Sequence, residues 1–219
     1  MDGFFEKFGL YDFFSMFVSG IISESIAVVV AAMCFGTNIE WTYKATWLYL
    51  IIGYFIGLIL HEIAGRAEKR LKKFFSRNVL SKKKYFFDND YDEEMLEQVK
   101  IHILGGKEKY TEKDEEYITS VCVNELQTKN AIASSDRLKT QSEMALSICI
   151  ATAVIGTVTL IFSFVGKINI ALTIATVIAL LIASMIFFAR SRRMHRYYIR
   201  CLIRTYAVLN NLERNEKGE

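Results

Sequence analysis

The stretch MALSICIATAVIGTVTLIFSFVGKINIALTIATVIALLIASMIFFA, residues 144–189, carries a single charge, Lys167, between two apolar runs at 144–165 and 168–189. A helix crossing about 30 Å of hydrocarbon needs roughly 20 predominantly apolar residues, and each run supplies them. Gly166-Lys167 leaves almost no loop, so the runs are expected to fold back on each other as a tight antiparallel hairpin. Working outward, residues 13–35 and 45–64 meet the same requirement. The expected fold class is therefore all-α: a four-helix transmembrane bundle with helical cytoplasmic extensions. It divides into an N-terminal hairpin (1–64), a cytoplasmic helical segment (65–142), a C-terminal hairpin (143–189) and a cytoplasmic helical tail (190–219).

The averages conceal this. Of 219 residues 52% are hydrophobic and the mean hydropathy is +0.23, close to the 45–50% apolar content of ordinary soluble domains. Distribution decides, and charge most of all. Of 27 Lys and Arg residues, only Lys44 and Lys167 fall between spans one and two or three and four. The other 25 lie in the N-terminus, the middle segment or the tail. Nine crowd into 66–84, directly after span two, and Arg190, Arg192, Arg193, Arg196, Arg200 and Arg204 follow span four. The positive-inside rule then places both termini and the middle segment in the cytoplasm. Trp41, Tyr43, Trp47 and Tyr49 mark the outer interface, and Phe4, Phe5, Phe8, Tyr11, Phe13 and Phe14 the inner one.

Span two is expected to continue as a basic amphipathic stem through Ala67, Leu71, Phe74 and Phe75. Residues 88–92 read as a turn and helix start, with Met95, Leu96, Val99 and Ile103 on one helical face, ended at Gly105-Gly106. Thr111 and Asp114 form a capping-box pattern that opens a second helix with the face Ile118, Val121, Cys122 and Leu126. A polar stretch, 130–140, is expected to lead back to span three. Span four should run on through Tyr197, Tyr198, Leu202, Tyr206 and Leu209.

Glu24, near the middle of span one, is the most informative residue. An acid there costs about 2.5–3.5 kcal/mol on insertion scales, and such residues face the bundle or a water-filled cavity. It has no ionisable partner deep in any span. It is expected to be protonated, to face water, or to bond hydroxyls such as Thr152, Thr157 or Thr159. Two readings stay open: a proton- or ion-sensitive, pore-lining position, and a neutral acid that cements packing. Ser15, Ser19 and Ser23, with Thr152, Gly156, Thr159 and Ser163, form stripes that would line a polar path or, as such stripes more often do, let helices pack closely. Gly53 and Gly57 form a GxxxG, and Ala171, Ala175, Ala179 and Ala183 repeat every four residues. Both are small-residue spacings of close helix contact, within a chain or between chains.

Other patterns fail on inspection. His61-Glu62 lacks the second histidine of HExxH, since the fifth position is Gly65. Asp88, Asp90 and Asp92 do not make an EF-hand: the sixth and twelfth positions are Glu93 and Val99. Cys34, Cys122, Cys149 and Cys201 have neither disulfide-framework nor zinc spacing. No phosphate loop, nucleophile elbow or catalytic triad spacing appears. Neither a metal, a cofactor nor an enzymatic activity is expected, and no signal peptide or lipidation is read. The basic residues Arg66, Lys69, Arg70, Lys72, Lys73, Arg192, Arg193 and Arg196 are candidates for contact with anionic lipid or a partner. Nucleic acid is not the expected ligand, because the positive-inside signal already accounts for them.

Tyr11-Asp12-Phe13-Phe14 opens span one with Ser19-Gly20 a turn or two later, span two carries Gly53-Tyr54, and span four ends in Arg192-Arg193-Met194-His195-Arg196-Tyr197-Tyr198. This resembles a broad group of small bacterial four-span proteins with a Tyr-Asp opening and an Arg-rich Tyr-Tyr tail. The likeness covers the membrane frame and departs at Ser19, where proline is common. In size and span count the chain is also similar to ancillary membrane proteins of type VI-B CRISPR loci and to the membrane subunit of the Kiwa defence system. The resemblance implies a component of an antiviral or stress response. The expected function is an oligomeric membrane-perturbing or pore-forming effector or regulator, whose partners are the lipid bilayer, further copies of itself and a soluble cytoplasmic defence protein. The alternatives are a membrane anchor or scaffold for a soluble partner, and a small ion or drug transporter. The transporter fits less well, because four spans with no inverted repeat and an 80-residue insertion are unusual for one.

Overall fold

A computed structural model gives the fold. It describes residues 10–35, 43–75, 90–105, 112–129, 131–165 and 170–212. Six helices occupy them, with no strand among the described residues: α1 (Leu10–Phe35), α2 (Tyr43–Phe75), α3 (Asp90–Leu104), α4 (Glu112–Thr128), α5 (Ala133–Val165) and α6 (Ile170–Leu209). Four of them, α1, α2, α5 and α6, are long and apolar enough to cross a membrane. The protein is an all-α, multi-pass membrane protein by this architecture.

α2 and α6 continue well beyond a membrane thickness, as the periodicity of their stems predicts. α5 differs from expectation: helix begins at Ala133, so most of the polar 130–140 stretch is its first turns. The cause is local. Ile132 O receives the Ser135 and Asp136 backbone N–H groups, and Ser135 Oγ also donates to it at 2.8 Å. Asp136 lies in the first turn, where an acid complements the helix dipole. α3 stops where expected. Gly105 takes φ +68, and its N–H reaches Ile101 O at 2.9 Å, a left-handed C-terminal cap. Asn211, φ 53, takes the left-handed conformation just after α6. Thr111, the proposed cap of α4, lies outside the described residues, as do the loops 36–42 and 166–169.

The chain forms two compact units, residues 1–70 with 140–193 and residues 71–139 with 194–219. In the first unit all four spanning segments pack together. α1 and α2 are antiparallel: Met16 meets Gly57, Gly20 meets Gly53, and Ser25 Oγ bonds Tyr49 Oη. α5 and α6 are antiparallel too, with Ser142 on Ser191 and Cys149 on Ser184. α1 and α5 run in the same direction, since Ser15 reaches Thr140 and Val30 shares a cluster with Ile155, equally far along both helices.

This unit is built inside out. Many of its buried positions are small or hydroxylic (Ser15, Ser19, Ser23, Ser142, Ser147, Thr152, Thr159 and Thr173, with Ala64, Ala145 and Ala151), interspersed with Met16, Val30, Leu60, Leu146, Ile148, Val177 and Leu180. Its exposed positions are large and apolar, among them Trp47, Ile51, Phe55, Ile59, Val154, Ile161, Ile178, Ile182, Met185 and Ile186. Water would penalise such a surface, since monomeric soluble proteins rarely expose so large an apolar patch. Hydrocarbon accepts it, and small residues inside let backbones approach.

The second unit has the opposite arrangement. Met95, Leu96 and Val99 of α3, Ile118, Cys122 and Leu126 of α4, and Tyr198, Leu202, Ile203, Tyr206 and Ala207 of α6 form one apolar core. Its buried α6 face includes Ile203 and Ala207, whereas Tyr197 and Leu209, expected on that face, are exposed. A helix turns 100° per residue, so Tyr197 and Tyr198 cannot both point inward.

Candidate functional site

Glu24 stands at the contact of α1 with α2, and glycine makes that contact possible. A Cβ built on Gly20 would lie 1.8 Å from Gly53 O, and one on Gly57 would lie 1.9 Å from Met16 O. No side chain fits between these backbones. A Cβ on Gly53 would come 2.9 Å from Glu24 Oε2, so the carboxyl group lies over the bare Gly53 backbone. Glu24 Oε2 is itself buried with no hydrogen-bond partner. Beside it, Tyr49 Oη of α2 bonds Ser25 Oγ and donates to Ile21 O at 3.4 Å.

The hydroxyls expected near Glu24 are turned elsewhere. Thr152 Oγ1 donates to Ile148 O and Cys149 O, Thr157 Oγ1 to Ala153 O, and Thr159 Oγ1 to Ile155 O. Ser19 Oγ donates to Met16 O and Ser23 Oγ to Ser19 O at 2.6 Å. Each bond returns to its own helix, three or four residues back, which satisfies the hydroxyl without a neighbouring helix. Ser15, in the same stripe, is directed to α5, whereas Glu24 faces α2. Ser23 and Glu24 are adjacent in sequence and about 100° apart around the helix. None of the hydroxyls of Ser19, Ser23, Thr152 and Thr159 donates to Glu24 Oε2, which stays without a partner.

Gly53 and Gly57 lie against α1 of the same chain. The alanine ladder is different: Ala171, Ala175 and Ala179 are exposed and Ala183 is half-buried. The packed face of α6 is Thr173, Val177, Leu180 and Ser191 instead. Sequence spacing marks the ladder as strongly as the GxxxG, and nothing in it indicates which stripe meets a helix of its own chain. Gly20, the third glycine of the α1–α2 contact, has Met16 and Glu24 four residues to either side, so no small-residue spacing marks it in the sequence.

Among the basic candidates, Arg66 is exposed and its Nε bonds Glu62 Oε1 at 2.9 Å, an i,i+4 pair of small energetic weight. Arg192, Arg193 and Arg196 are exposed on α6. Lys69, Arg70, Lys72 and Lys73 belong to α2, and their side chains lie outside the described residues. Among the described residues, no group of three or more His, Cys, Asp or Glu could hold a metal ion.

In the second unit, Lys129 Nζ donates to Glu125 Oε1 at 2.7 Å and to Asn210 Oδ1 at 3.3 Å. The hydrogen bond from Lys129 holds the Glu125 carboxyl below its ordinary range. Burial pushes the Cys122 thiol up to about 12 and the Tyr206 phenol up to about 12, both helped by the Glu125 charge. A buried, protonated thiol is a core group and a poor nucleophile.

Comparison with protein-family models, with curated proteins and with solved structures finds no match.

Proposed function

We propose that this protein is a bacterial inner-membrane component of an antiviral or stress response, with both termini in the cytoplasm. In this reading it assembles with further copies of itself and perturbs the membrane through the helices around Glu24 when its cytoplasmic unit meets a soluble partner. The orientation rests on the charge asymmetry, and the biological setting on the resemblance of the membrane frame.

The observation that carries the reading is Glu24 Oε2, an acid oxygen in a spanning helix, buried without a partner over Gly53. A buried polar atom without a hydrogen bond costs about 1–3 kcal/mol. An arrangement that gave this oxygen a donor or water would recover that cost. Such a difference is what lets a partner shift a two-state equilibrium. The test is membrane potential in bacteria expressing the wild type or Glu24→Gln, with and without phage. Depolarisation that needs Glu24 supports the reading, and an unchanged potential in cells carrying the neighbouring genes refutes it.

A scaffold is the second reading. It is favoured by the inward hydroxyls, which bond to their own helices rather than line a path. Under it, Glu24→Leu retains full activity in a phage-challenge assay.

A further inference from the structure

α6 has two sides along its spanning part. Thr173, Val177, Leu180 and Ser191 are buried against the bundle. Ile178, Ile182 and Ile186 are exposed, and so are Arg190 and Arg193. These residues follow one another at steps of four, four, four and three. At 100° per residue they share one stripe. The arginines therefore continue the side that meets hydrocarbon, not the side that meets other helices. The rise from Ile182 to Arg193 is about 16 Å, the depth of roughly one leaflet. Neither guanidinium has a hydrogen-bond or ion-pair partner among the described residues. Other basic residues at this end of the unit differ: Arg66 of α2 is held by Glu62 at 2.9 Å, and Arg192 already interacts within the chain.

We propose that this stripe binds an anionic phospholipid, its acyl chains along Ile182 and Ile186 and its phosphate held by Arg190 and Arg193. The inference rests on the membrane architecture alone and not on the antiviral reading. A guanidinium matches a phosphate with two parallel N–H···O bonds. The stem of an arginine lies along apolar surface while its head reaches the headgroup level. A zwitterionic lipid brings a choline cation beside its phosphate, which offsets the attraction, so the site favours a lipid of net negative charge. A soluble acidic partner fits less well, because bilayer chains already cover the isoleucine half of the stripe. The positive-inside bias accounts for basic residues at this end of the span, but it is indifferent to the helix face they occupy. Here the face is the lipid-facing one.

The experiment titrates the full chain in detergent micelles with phosphatidylglycerol or phosphatidylcholine and counts bound lipids by native mass spectrometry. The expected result is tighter binding of the first phosphatidylglycerol. Arg190→Gln or Arg193→Gln should weaken it about fivefold and the double variant about 25-fold, from the usual worth of an arginine near an anionic surface. Arg204→Gln removes the same charge about 16 Å farther along α6 and should leave the affinity unchanged. Both substituted side chains are exposed, so the fold should survive; if the double variant does not, the single variants decide. An Arg204→Gln loss as large as that of Arg193→Gln would mean diffuse surface charge and overturn the site. So would equal affinity for the two lipids, or a double variant that binds phosphatidylglycerol like the wild type, which would leave the arginines to a soluble partner. Glycerophosphoglycerol, the headgroup without chains, should not displace the lipid at equal concentration; displacement would make this a site for soluble phosphate and overturn the lipid assignment.

Discussion

Substituting Gly20 by Ala adds one methyl group at the tightest point of the bundle. The new Cβ would lie 1.8 Å from Gly53 O and 2.7 Å from Gly57 N. Ordinary carbon–oxygen contact is near 3.3 Å, so the backbones must part by about 1.5 Å, more than a gap that already forfeits up to half of the dispersion well. The obstacle is main chain, which cannot rotate away. Overpacking of this kind costs about 1–3 kcal/mol, against a gain of up to about 1 kcal/mol from the better helix propensity of Ala. Net destabilisation of about 1–2 kcal/mol is expected. Gly57→Ala, 1.9 Å from Met16 O, should behave alike. Gly156→Ala is the internal control. Its Cβ would stand 3.6 Å from Leu180 Cβ, an ordinary contact, and Gly65→Ala would meet nothing within 4 Å. Both should be neutral or stabilising by up to about 1 kcal/mol. Unfolding of the purified protein in mixed micelles by titrated SDS, followed by far-UV circular dichroism, ranks the four variants. If Gly20→Ala and Gly57→Ala are as stable as the wild type, or Gly156→Ala is the worst of the set, the reasoning from glycine contact fails.

Gly53→Ala should act on Glu24 rather than on the helices, because the atom 2.9 Å from its Cβ is the end of a flexible side chain; any Glu24-dependent depolarisation should change more than unfolding does. The second unit should lose stability as pH falls below the ordinary glutamate value of 4.5, because the folded state holds Glu125 lower. Its share is present above that value, and Lys129→Ala should remove it. The loss is about 0.3–0.5 kcal/mol for a partly exposed i,i+4 pair, readable as a shift in acid unfolding. At the alkaline end the sign is opposite. Cys122 and Tyr206 ionise at about 12 in the folded unit against 9.0 and 10.0 outside it, so stability falls as pH climbs from 9 toward 12. Accordingly Cys122, fully buried, should resist a maleimide at neutral pH while the half-buried Cys201 reacts; equal labelling rates would contradict the packing described.

Sequence by itself determined the membrane frame. Crossing hydrocarbon demands long apolar helices, and the runs at 13–35, 45–64, 144–165 and 168–189 display that demand in one dimension. It also determined the faces of α3 and α4, since Val99, Ile118, Cys122 and Leu126 repeat at helical spacing, and the stop at Gly105. Only the tertiary structure decided which small-residue stripe meets which helix. Gly53, Gly57 and the alanines of α6 satisfy the same spacing rule, and close approach depends on where the opposing backbone lies. The surroundings of Glu24 were decided in the same way. Its neighbour across the helix contact, Gly53 on α2, is remote in sequence. The hydroxyl bonds turn on side-chain rotation, and backbone carbonyls one turn back can satisfy a serine or threonine as well as an acid on another helix can. The contact of His61 Nε2 on α2 with Glu143 Oε2 on α5, at 3.3 Å, belongs to this second kind of information, since two residues 82 positions apart meet only because the helices that carry them pack antiparallel.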